Sequence, residues 1–142
     1  MIKSDYDAII EVIYRFANGL DLKDWETVKS CFSESILTDY SDLRGDAPSI
    51  ISSSDYVDKR RLALSPLKTQ HLSSNHIVEI SSDTATCHSQ MVIYRRKVDR
   101  YFNTHCYYEH KLEKIGSNWT IKAIKQSVWW NEGDATIHSG AK

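Results

Sequence analysis

At 142 residues the chain has room for one domain with a sizeable core, and not for two. A hydrophobic share of 41%, a charged share of 26% and a net charge of −1 describe an ordinary globular protein with no general field for nucleic acid or an anionic membrane. No apolar run approaches the roughly 18 residues of a membrane helix, and Met1–Asp5 turns acidic at once, unlike a signal peptide.

Between Tyr6 and Leu20 the apolar residues recur at steps of three and four, which predicts a helix with one buried face, capped by Ser4 or Asp5. Gly19 and Asp21 mark its end. A short second helix follows, with Trp25, Val28, Cys31 and Phe32 inward, and then a strand from Ile36 to Tyr40. Ser41–Ser49, which holds Gly45 and Pro48, reads as a loop, and Ser52–Leu64 as a third helix closed by Pro66. Beyond Pro66, Lys68–Ile80, Thr84–Val98, Tyr101–Lys114 and Asn118–Trp130 are rich in β-branched and aromatic residues and are separated by short turns. They predict an antiparallel meander. Helices first and strands later imply an α+β domain with helices on one face of a strongly curved antiparallel sheet. Its core spans about residues 4–132, and the residues from Asn131 onward, with 133–142 as the C-terminal tail, read as loosely held.

The three cysteines lack redox or metal spacing and read as reduced core thiols in a cytoplasmic protein. Lys59-Arg60-Arg61 and Arg95-Arg96-Lys97 read as solvated faces or strand ends rather than phosphate sites. No pair among the six histidines has the helical spacing of a zinc motif, and no phosphate-cradling glycine loop occurs, so neither metal nor cofactor is expected.

Two residues carry the chemistry. Asp21 is either a helix-end cap or an acid, and His71 either a satisfied core histidine or a base. A carboxylate beside an imidazole fixes the ring tautomer and leaves the other nitrogen free to take a proton. By period-2 alternation Ser73 and Asn75 share the face of His71, a polarity that points to a pocket, while His76 points the other way. On the third long strand Phe102, Thr104, Cys106, Tyr108, His110 and Leu112 share one face.

Asp21-Leu22-Lys23-Asp24-Trp25, Asp39-Tyr40, Thr69-Gln70-His71 and Lys114-Ile115-x-x-x-Trp119, in that order, resemble motifs of the scytalone dehydratase branch of the SnoaL-like, nuclear transport factor 2-like superfamily. The resemblance runs from about Ile10 to Glu132. It implies an α+β cone, Asp21 and His71 as acid/base pair, and Tyr40 as the residue that polarises a substrate carbonyl. It also puts Tyr108 on the pocket side, as a hydrogen-bond donor or as plain aromatic packing. The departures are Leu20 in place of the family's second tyrosine, Arg95 in place of a second histidine, and Cys106 and Tyr108 in place of a serine and an asparagine. Arg95 either anchors an anionic ligand by paired hydrogen bonds or is solvated.

The resulting expectation is a cofactor-independent lyase, a dehydratase acting on a small cyclic or aromatic carbonyl compound. Its catalytic residues are Asp21, His71 and Tyr40, with Arg95, Tyr108 and Asn75 binding substrate. Isomerisation, hydrolysis or dehydrohalogenation on the same pair, or a non-catalytic small-ligand or protein binding module, are the alternatives. A homo-oligomer, trimer or dimer, is expected from the aromatic outer sheet face.

Overall fold

The computed structural model describes residues 2–138. Helix α1 (Asp5–Leu22) starts at Ser4, whose hydroxyl accepts the Asp7 N–H, and buries the predicted face through Ile9, Ile13, Phe16 and Leu20. Helix α2 (Trp25–Ser30) is capped by Asp24, whose carboxylate accepts the Thr27 N–H at 3.2 Å. The two helices touch closely at Gly19, where an added Cβ would lie 2.8 Å from a Val28 methyl.

Strand β1 (Phe32–Asp39) leads into a region richer in structure than the expected loop. Ser41–Arg44 forms helix α3, and Ser49–Ser52 forms strand β2, antiparallel to β1. Helix α4 (Ser53–Leu64) follows, capped by Ser52. The four long strands are β3 (Lys68–Ser81), β4 (Thr84–Lys97), β5 (Arg100–Ile115) and β6 (Asn118–Gly133).

The sheet order is β2-β1-β6-β5-β4-β3. The meander is antiparallel as predicted, but β1 pairs with β6 in parallel, so the sheet as a whole is mixed. The reason lies in α1 and α2, which return the chain to the start of β6, where the Ile121 N–H bonds the Cys31 carbonyl at 2.8 Å. From there β1 runs alongside β6 and covers an edge that would otherwise be open.

The sheet bends through register shifts in β3 between Ser74 and Ile77, and in the β5–β6 ladder at two places, one near His105 and one near Lys111. Bulges increase local twist and turn a flat ladder into a curved one. The helices fill the concave side, and the inward residues of β4, β5 and β6 alternate with outward ones. All three cysteines are free and buried, and burial pushes Cys31 and Cys87 up to about 11 and Cys106 up to about 12, which leaves them inert thiols.

The expected loose tail is corrected in part. Strand β6 continues to Gly133, a 3₁₀ turn covers Ala135–Ile137, and Ile137 and His138 are buried. His138 stacks on Phe102, with centroids 6.3 Å apart. Residues 139–142 of that tail lie outside the described residues. No described helix is long and apolar enough to cross a membrane.

Candidate active site

Asp21 stands in the last turn of α1, which stops because Lys23 adopts a left-handed conformation (φ 57°). The Lys23 ammonium bonds the Ser65 carbonyl at 2.8 Å, which fixes this helix end above the start of β3. The Asp21 carboxylate crosses to β3 and makes three bonds there. Its Oδ2 accepts the His71 backbone N–H at 2.7 Å. Its Oδ1 lies 2.6 Å from His71 Nδ1 and accepts the Thr69 hydroxyl at 2.9 Å. Thr69 and His71 leave the strand on the same face, which is why the Thr-x-His spacing serves one carboxylate. An ionised carboxylate only accepts, so Nδ1 carries the proton and Nε2 is the free base. Asp21 is therefore not a cap; Asp24 caps the next helix instead.

His71 looks into a small void under α1 and α4, of about 20 Å³, room for about one water. Tyr40, Tyr108 and Arg95 line the same void, so the structure brings together five of the six residues singled out from sequence, Asp21 through His71. Tyr40 is buried, and its hydroxyl lies 2.8 Å from that of Tyr56. The Tyr108 hydroxyl accepts a bond from Gln126 Nε2 at 3.0 Å and keeps its own proton to give. Burial, together with the neighbouring Tyr40, holds Tyr108 well above the usual phenol range. Both features suit a neutral donor.

Arg95 is 3% exposed and not a solvated strand end. Its Nη1 donates to the Thr104 hydroxyl at 2.8 Å, and its guanidinium lies 5.1 Å from the Phe102 ring centre. Burial lowers it to about 10, still charged at neutral pH. Arg60 is likewise buried, at 8%. The reading of the two basic runs as solvated faces is thus corrected for these two side chains. In β4 the cause is alternation: Ile93 and Arg95 share the inward face, and Arg96 points out.

Asn75 is the member the structure takes away. It sits in the β3 bulge with φ 54°, exposed and not among the residues that line the void. The bulge reverses the alternation beyond it, so His76 turns inward instead, edge-on to Tyr14 at 5.2 Å and 2.7 Å from the Ser73 hydroxyl. The cavity residues that escaped the sequence reading include Arg44, Tyr56, Gln126 and His138. Tyr56 and Arg60, four apart on α4, share a helix face, and that spacing was the available signal. His110 is wholly buried against Tyr108, and no metal-binding cluster of three or more His, Cys, Asp or Glu occurs among the described residues.

A profile of the SnoaL-like domain matches residues 3–125. The chain belongs to the SnoaL-like domain family. Among its curated relatives is scytalone dehydratase arp1 of Aspergillus fumigatus, 27% identical over 141 residues, covering 90% of this chain and 84% of that one. Such relatives support the scytalone dehydratase-like branch of the SnoaL-like proteins. Among solved structures, the Kfla4162 protein of Kribbella flavida superposes with a TM-score of 0.87 at 22% identity, covering 94% of this chain and 95% of that one. A hexachlorocyclohexane dehydrochlorinase superposes with a TM-score of 0.77 at 16% identity, covering 92% and 89%. Both likenesses describe the SnoaL-like cone.

Proposed function

We propose that this SnoaL-like protein is a cofactor-independent lyase, a dehydratase of small cyclic or aromatic carbonyl compounds. The observation that carries the reading is the Asp21 grip on His71, which leaves Nε2 as a base facing a cavity with phenol donors. His71 Nε2 removes the proton beside the carbonyl, and the C–H electrons pass into an enolate. Tyr108 and Tyr40 supply hydrogen bonds to the developing oxyanion, directly or through water. The protonated His71, steadied by Asp21, returns its proton to the β-hydroxyl. As the enolate collapses the C–O bond breaks, a C=C bond forms and water leaves. The curated relatives named as dehydratases support this outcome over isomerisation, which shares the first step.

The void is smaller than a ring, so its walls must part to admit substrate. The test is incubation with a panel of cyclic β-hydroxy ketones in D₂O, followed by ultraviolet absorbance and NMR. Conjugated product formed by the wild type and not by His71→Ala supports the lyase. Deuterium uptake without loss of water turns the assignment to an isomerase. Neither change, with ligand bound, turns it to a binding module.

A further inference from the structure

Three arginines from three different elements meet at this cavity. Arg44 ends α3, Arg60 lies in α4 and Arg95 in β4, and all three line the void that His71 faces. Arg60 and Arg95 are more than nine-tenths buried. None of the three makes an ion pair among the described residues; no carboxylate lies within 4.0 Å of their guanidinium nitrogens. Nε of each arginine, and Nη2 of Arg44, are buried without a hydrogen-bond partner.

What surrounds the cations is aromatic. Arg44 lies 4.5 Å and Arg60 5.7 Å from the centre of the Tyr40 ring, and Arg60 is 5.8 Å from that of Tyr56. Ring faces attract a cation, but far less than an anion does. Tyr56 and Tyr108 are held well above the usual phenol range by burial and stay neutral, so neither is a hidden counter-ion. Asp46 borders a neighbouring shallow void with Lys59, Arg44 and Arg60, without pairing to either arginine. Buried charges without partners are costly, and proteins rarely retain even one. Three cations aimed at one void call for an anion supplied from outside.

We propose that Arg44, Arg60 and Arg95 form a carboxylate-binding site, and that the substrate of this cavity is a ring carbonyl compound bearing a carboxylate. This rests on the lyase reading and narrows it. The guanidinium fork matches the two oxygens of a carboxylate, and the tyrosine rings offer flat walls to a ring attached to it. Held at that end, the ring presents a C–H bond to His71. The arginines also neutralise a charge that would otherwise oppose formation of a second negative charge in the enolate.

Benzoate and benzamide share a shape and differ in charge, so calorimetric titration of the wild type with each reads the site without any knowledge of the substrate. Benzoate should bind at least about tenfold more tightly, a ratio typical of one lost charge-assisted pair. Arg60→Met and Arg95→Met should each lower benzoate affinity by about tenfold or more and leave benzamide within about twofold. A wild-type ratio near one overturns the proposal even if no variant folds. Benzoate affinity unmoved in folded Arg60→Met and Arg95→Met overturns it too. Inorganic phosphate that competes as well as benzoate overturns the carboxylate assignment. His71→Ala should retain the benzoate preference. Preference kept without turnover by the wild type would remove the lyase and leave the anion site standing.

Discussion

Asp21 holds His71 at two points, the ring and the backbone, with one oxygen on Nδ1 at 2.6 Å and the other on the main-chain N–H at 2.7 Å. The carboxylate thus sets both the tautomer of the imidazole and the position of the strand that carries it. Asp21→Asn keeps the size but presents an amide NH₂ to at least one of these donors or turns its single oxygen to only one of them. The rate should fall by about 10² to 10⁴, and His71→Ala should fall as far. The double variant should be little worse than the poorer single one, because the pair acts as a unit. Nitrogen-15 NMR of the imidazole should report Nδ1–H in the wild type and a mixed population in Asp21→Asn. Near-normal turnover in either single variant would place the base elsewhere.

The β3 bulge makes a different kind of claim, that Asn75 has a backbone role and no chemical one. At φ 54° it occupies a region that asparagine and glycine tolerate and β-branched residues do not. Asn75→Gly should leave both activity and the denaturation midpoint nearly unchanged. Asn75→Val should cost about 1–2 kcal/mol. A large loss of turnover in Asn75→Gly would return the residue to the site.

That bulge also marks the boundary of what the chain discloses. Helices α1, α2 and α4 and the four long strands follow from apolar spacing and turn residues, and Asp21 and His71 from their motifs. Strict alternation put Asn75 inward because nothing local in Ser73-Ser74-Asn75-His76 announces an extra residue. The parallel β1–β6 pair depends on contacts about 90 residues apart in sequence, which local pattern does not encode. Charged residues are usually exposed, so Arg60 reads as solvated and Arg95 as either solvated or a ligand anchor; only the three-dimensional packing buries both. His138 falls in the stretch that reads as a loose tail, and the tertiary stack on Phe102, which local sequence does not encode, helps to hold it in.

Acid should destabilise the protein through His110 and His138. Both ring nitrogens of His110 lack partners, and burial lowers it from 6.5 to about 3; burial and the three arginines push His138 down as well. The folded state keeps both neutral while the unfolded chain protonates them near pH 6.5. Their contribution is therefore whole above that value and shrinks as pH falls toward the folded value. The loss is about 1.4 kcal/mol per pH unit for each histidine. Urea midpoints between pH 7 and pH 4 measure it. His110→Phe keeps the stack on Tyr108 (centroids 5.2 Å) and should flatten the slope by about one proton. An unchanged slope in that variant would mean that His110 is charged, or solvated, in the folded state.

The outer face of the sheet should be covered by a second copy of the chain. Tyr94 on β4, Tyr101 on β5, and Trp129 and Trp130 on β6 are 42%, 49%, 52% and 52% exposed. The patch is ordered from within: Trp130 stacks on His105 at 4.2 Å, and His105 in turn pairs with Glu132 at 3.0 Å. Between Tyr94, Tyr101 and Glu132 runs an open groove of about 540 Å³, with Lys68 and Arg96 at its rim. Two tryptophans and two tyrosines on one open sheet face are the aromatic enrichment of an interface centre. Sedimentation at micromolar concentration should give a multiple of 16.4 kDa. Trp130→Glu puts a charge in that patch and should release the 16.4 kDa monomer, while its benzoate affinity stays that of the wild type because Trp130 does not line the cavity. A wild-type protein that sediments as a clean monomer would leave the aromatic face without this occupant.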